Sequence, residues 1–195
     1  DDVYIDGVVT RGEAEALFRL NDHLSRVDPL WDSRFVEAIT DFLLVREVPE
    51  GWVTEEEANW LISQIQSDGT TRTTTEVDLV LSVLRQAEGA PQKLGRFALD
   101  VVSDLIIKIG QADLEMVERM RRALFAPSGD QGTWVSRYEA CILFRTNDAI
   151  ATARNNPAWN DFFARAIANH LLACAHPEPM SESEALSRQT WLADT

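Results

Sequence analysis

The sequence predicts an all-α fold, a pseudo-twofold duplicated helical bundle, and three observations predict it. Apolar residues recur at spacings of three and four through most of the 195 residues, which is the pattern of helices that each bury one face; no segment alternates apolar and polar residues as a half-buried strand would. The stretch VTRGEAEALFRLND at 9–22 returns as VSRYEACILFRTND at 135–148 with nine of fourteen positions identical. Helix-start signals stand ahead of the apolar stripes, Asp28-Pro29 and Asn156-Pro157 among them: Asp or Asn at the N-cap accepts an orphan backbone N–H, and Pro at the next position needs no donor and already has a helical φ.

In chain order the spacing predicts helices over 11–26, 29–46, 55–66, 75–87, 92–109, 113–125, 137–153, 158–173 and 182–192. The first and seventh carry the repeated block. The second and eighth follow it in register, Pro29, Trp31, Phe35, Ala38, Ile39, Leu43 and Leu44 matching Pro157, Trp159, Phe163, Ala166, Ile167, Leu171 and Leu172. The third and ninth continue more faintly, VPEGWVTEEEA at 48–58 matching HPEPMSESEA at 176–185 with one gap. The fifth has the stripe Leu94, Phe97, Ala98, Val101, Leu105, Ile106 and Ile109, and the sixth leads into the second copy. The domain reading is one helical lobe over 1–68, a connecting helical segment over 69–112 and a second lobe over 113–195, with a lead-in helix of the first copy expected upstream of Asp1.

Composition limits the function. Apolar residues make up 45% of the chain, enough for a core. The net charge of -14, spread along the chain, repels phosphate backbones and anionic membrane surfaces and attracts cations or basic partners, so neither nucleic acid nor membrane is an expected partner. No apolar run approaches the roughly 18 residues of a membrane span. Cys141 and Cys174 each sit in an apolar run and read as buried, inert packing residues. The chain opens on Asp1 rather than Met, so an upstream segment removed by processing or by truncation is expected, and the expected location is cytoplasmic.

The pattern Ser or Thr, two residues, Glu occurs at Thr10/Glu13, Thr54/Glu57, Thr73/Glu76, Ser136/Glu139 and Ser181/Glu184. This is a capping box, in which hydroxyl and carboxylate each satisfy the other's backbone N–H at a helix start. The stretch DVYIDGVVTRGE at 2–13 also resembles an EF-hand calcium loop, with Asp2, Asp6, Gly7, Val9, Thr10 and Glu13 at its first, fifth, sixth, eighth, ninth and twelfth positions. The units of the bundle are therefore expected to be EF-hand-like helix-loop-helix pairs. Tyr4 at the third position departs from the pattern, as do Ser128 and Thr133 in the second copy and Arg46 and Val48 in the loop at 46–57. Because the ninth and twelfth loop positions coincide with the N-cap and third helical residue, a capping box accounts for the part of the likeness that every loop keeps. Calcium held by Asp2, Asp6, Thr10 and Glu13, with the Val8 carbonyl, is the alternative to a fold without cofactor.

The phrase FVEAITDFLLVREVPEGWVTEEEANWLISQI at 35–65 resembles the all-helical TerB-like domains of tellurite-resistance proteins, in which an apolar helix, a short Gly-containing turn and a Ser/Thr-x-x-Glu start recur. The resemblance implies a helical binding or signalling module and does not imply an enzyme. The candidate partner-binding residues are Arg19, Asn21 and Asp22 with their counterparts Arg145, Asn147 and Asp148, polar positions kept in both copies on helices that otherwise face the core. Their other reading is local hydrogen bonding to the turn before the next helix. His170 stands where the first copy has Phe42 and reads as a core histidine; Trp52 and Trp134, just ahead of capping boxes, either close a turn or anchor a partner. No HExxH, glycine-rich phosphate loop, CxxC or Gly-x-Ser-x-Gly is present. The expected function is a non-enzymatic binding or scaffold module that engages a protein partner through an acidic helical surface, with an enzyme whose site no motif marks as the distant alternative.

Overall fold

A computed structural model describes residues 10–23, 28–66, 73–126 and 134–175. Eight helices follow one another: α1 (Arg11–His23), α2 (Pro29–Asp41), α3 (Glu55–Gln66), α4 (Thr74–Gln86), α5 (Gln92–Ile109), α6 (Leu114–Leu124), α7 (Arg137–Ala149) and α8 (Pro157–Ala175). A π-helical turn, Phe42–Arg46, extends α2. Among the described residues there is no strand, only the isolated bridge Trp52–Gly89. The expected helix over 182–192 lies outside the described residues.

Local chemistry sets the helix starts. In the Thr73 box the hydroxyl accepts Glu76 N–H (3.2 Å) and the Glu76 carboxylate accepts Thr73 N–H (2.7 Å); Ser136 and Glu139 repeat it at 3.3 and 2.7 Å, and Thr54 and Glu57 at 3.2 and 2.6 Å. Asp28 accepts Leu30 N–H, Asn156 accepts Ala158 N–H and Asp113 accepts Met116 N–H. Such caps satisfy donors that the first helical turn leaves unpaired. Gly110, at φ 79°, ends α5 in the left-handed conformation that a Cβ disfavours.

The boxes at Thr10, Thr73 and Ser136 stand 63 positions apart, and each opens a similar succession. A first helix (α1, α4, α7) is followed by a long one (α2, α5, α8) and, twice among the described residues, by a third (α3, α6). The joints also recur: α2 packs on α4 as α5 packs on α7, and α3 on α5 as α6 on α8. Equivalent first-helix positions are buried in all three units, Ala14, Val77 and Ala140, then Leu17, Val80 and Leu143. This is a stack in which each unit buries its apolar face on the next. The stretch expected to connect two lobes supplies its centre, where Leu79 and Leu84 of α4 and Leu94, Leu99 and Ile106 of α5 are fully buried.

The two joints differ in polarity. In the second, the Ser103 and Thr146 hydroxyls meet at 2.6 Å, Arg145 donates to Ser103 Oγ and Asp104 Oδ1 at 2.9 Å, and Tyr138 donates to Asp100 at 2.6 Å. Burial, then that hydrogen bond, pushes the Tyr138 hydroxyl up to about 12. In the first joint Thr75 donates to Asp32, but Thr40, the counterpart of Ser103, is buried with no partner for its hydroxyl, and the position of Thr146 is held by Val83. An unsatisfied buried hydroxyl is destabilising, so Thr40→Val is expected to raise stability by about 1 kcal/mol in urea unfolding; a lower midpoint would count against an unpaired hydroxyl there.

Both cysteines are exposed, contrary to the buried role expected of them. Cys141 lies beside the core-facing positions, which Ala140, Ile142 and Leu143 occupy, and Cys174 lies in the last turns of α8. No described helix is long and apolar enough to cross a membrane.

Candidate functional site

The capping-box half of the calcium-loop reading lies within the described residues. Glu13 Oε2 accepts both the Thr10 N–H (2.7 Å) and the Thr10 hydroxyl (2.8 Å), and Thr10 Oγ1 accepts Glu13 N–H at 3.4 Å. Asp2, Asp6 and Val8 lie outside the described residues. Among the described residues no group of three or more His, Cys, Asp or Glu side chains is arranged to hold a metal ion. Glu13→Gln keeps an acceptor at the third helical position and is expected to cost no more than the about 0.5–2 kcal/mol of a lost cap, and to do so equally in chelator and in millimolar calcium. Melting curves of both proteins in both buffers check this, and a loss confined to calcium would show that the carboxylate serves an ion.

The six repeated polar residues do not converge on one site. Asn21 Oδ1 accepts the Trp31 indole N–H at 3.2 Å, and Asn147 Oδ1 accepts that of Trp159 at 3.1 Å. These equivalent bonds tie the first helix of a unit to its long helix. Arg145 binds across the joint to Ser103 and Asp104. Arg19 is exposed, its carbonyl accepting from His23 Nδ1 at 2.6 Å; Asp22 and Asp148 are exposed near the ends of α1 and α7. His170 is half-buried rather than in the core, and its Nδ1–H donates to the Val135 carbonyl at 2.8 Å while Asn169 Oδ1 accepts Val135 N–H at 2.6 Å. Trp52 is half exposed and lies over the loop between α4 and α5, where a Cβ on Gly89 would stand 2.3 Å from its ring.

Two surfaces stand out among the described residues. The first is on the third unit. In the first unit Phe18 is buried, edge-on to Phe35 at 5.2 Å and to Trp60 of α3 at 5.8 Å. Its counterpart Phe144 meets Phe163 edge-on at 5.2 Å and remains 46% exposed. Leu171 and Leu172 are 60% and 59% exposed, where their counterparts Leu43 and Leu44 are buried.

The second is a groove of about 520 Å³ between α2, α4 and α6, lined by Val36, Asp78, Arg85, Glu115, Arg119 and Arg122 among others. Arg119, with a side chain only 6% exposed, is gripped by Asp78, Nε to Oδ1 and Nη2 to Oδ2 both at 2.8 Å, and its Nη2 also reaches Glu115 at 2.8 Å. The hydrogen bond to Asp78 raises its pKa above the ordinary guanidinium value against the opposing effect of burial. Nη1 is buried and has no partner. No motif in the sequence marks this cluster: Arg119 lies in the charged run ERMRR at 118–122, and Asp78 and Arg85 lie on another helix.

Compared with protein-family models, with curated proteins and with solved structures, the chain matches none.

Proposed function

We propose that the protein is a non-enzymatic helical-repeat module that binds a protein partner. The observation that carries this reading is the uncovered apolar face of the third unit. Phe144, Leu171 and Leu172 are exposed at positions whose counterparts in the first unit are closed, and apolar surface left open in this way favours an interaction site. Stacked helical units offer the extended, rigid surface on which such binding is built. The net charge of -14 favours a partner with basic groups around its apolar contact.

Affinity capture with the wild-type chain and with Phe144→Glu/Leu172→Glu tests the proposal. Both substitutions fall on exposed side chains, so the melting temperature is expected to stay within a few degrees of wild type. A partner held by the wild type and lost by the variant is the expected result. Identical sets of captured proteins would remove the third unit from the binding surface.

A further inference from the structure

The groove between the first and second units contains a charge that the fold does not need. Arg119 stands six positions after the N-cap Asp113 of α6; six positions after Thr54, which opens α3, the first unit has Trp60. Both are buried. Trp60 packs on Phe18 and Phe42, at 5.8 and 5.4 Å between ring centroids, so a large apolar side chain satisfies this position of the unit. A guanidinium there must be desolvated, which costs several kcal/mol even when it is paired. The pairing is also incomplete, because Asp78 and Glu115 take donors on Nε and Nη2 and leave Nη1 buried without an acceptor.

The carboxylates around the groove are already engaged. Asp78 and Glu115 hold Arg119, and Glu118 lies 3.7 Å from Arg121. Arg85 and Arg122, both exposed, line the same groove, and neither makes an ion pair with a described residue. Two guanidiniums without an ion pair to any described residue therefore line the groove with a third whose Nη1 lacks an acceptor, in a protein whose overall charge is -14. The planar donor fork of arginine matches the paired oxygens of carboxylate and phosphate.

We propose that the groove between α2, α4 and α6 is a binding site for an oxyanion, a carboxylate or phosphate group of the ligand, held by Arg85, Arg119 and Arg122. It lies on the first two units, apart from the apolar face of the third, and does not depend on that face having a partner.

The test is calorimetric titration of the full chain with inorganic phosphate and, separately, with glutarate, each against sodium chloride at matched ionic strength. Saturable binding of at least one is expected, weakened roughly tenfold or more by Arg85→Gln/Arg122→Gln, as the loss of two charge-assisted contacts implies. Both residues are exposed, so this variant keeps its fold. Arg119→Lys keeps the charge, loses the fork and is expected to bind more weakly still; if it fails to fold, the exposed pair alone decides. Binding of phosphate only assigns a phosphorylated ligand, and binding of glutarate only assigns an acidic side chain. Binding of neither above the chloride reference, or equal binding by the double variant, overturns the proposal. Phe144→Glu/Leu172→Glu is expected to leave anion binding unchanged, so failure of the third-unit reading is scored separately.

Discussion

Asp78→Ala is expected to lower the stability of the chain by about 3 kcal/mol, because it leaves the buried Arg119 guanidinium with Glu115 as its one remaining carboxylate. Removing one member of a buried pair costs more than the pair contributes, since the surviving charge stays desolvated. Asp78 is itself 39% exposed and Glu115 remains in place, which sets the figure at the low end for such pairs. Urea unfolding gives the value. In Asp78→Ala/Arg119→Met the stranded charge is gone, and part of the loss is expected to be recovered. A single variant that unfolds with the wild type would mean that Arg119 is solvated in the folded state.

Trp159→Ala is expected to cost about 4 kcal/mol, the range for emptying a fully buried aromatic site, whereas its counterpart Trp31→Ala should cost about 2 kcal/mol. Both indoles donate to the equivalent asparagine, at 3.1 and 3.2 Å, so the difference comes from burial. Trp159 is completely buried, packed against Phe162, while Trp31 is only partly buried, beside Phe35. Removing a partly exposed ring takes less apolar area out of the core and leaves a cavity that solvent can enter. Unfolding midpoints of the two variants check the order, and equal losses would mean that the shared hydrogen bond, rather than packing, governs both sites.

The helices were legible in the sequence because their causes are local. The expected span of 92–109 coincides with α5, and that of 55–66 with α3, since periodic apolar residues and capping residues act within a few positions. Where the spans differ, the chain runs on or turns early: the helix expected over 158–173 spans Pro157–Ala175. The helix expected over 137–153 ends at Ala149, and Ala153 N–H then bonds the Ile150 carbonyl in a turn.

The middle unit was harder to see as a unit. Its capping box at Thr73 and Glu76 is plain in the sequence, but the Asn–Trp pair that marks the other two, Asn21 with Trp31 and Asn147 with Trp159, is replaced by Leu84 and Leu94, at the spacing of the first unit's pair. Both leucines are fully buried. A unit packed between two neighbours has less surface facing water, and at these positions apolar contact takes the place of the hydrogen bond. Identity between copies fell as a result, and the stretch read as a connector.

By itself, then, the sequence determined the helical class, nearly every helix start and most of the inward stripe of α5, because propensity, capping and periodicity are properties of neighbouring residues. The tertiary structure alone decided how the units stack, that Phe144 is left open where Phe18 is closed, and that Arg119 is buried in a groove which the exposed Arg85 and Arg122 also line, while Arg121 lies outside it. Arg85 and Arg119 lie on different helices, and a helix of the same composition would carry Arg119 equally well on a wet face. Burial is conferred by the partner helix, and which helix becomes the partner is settled by packing across the whole chain.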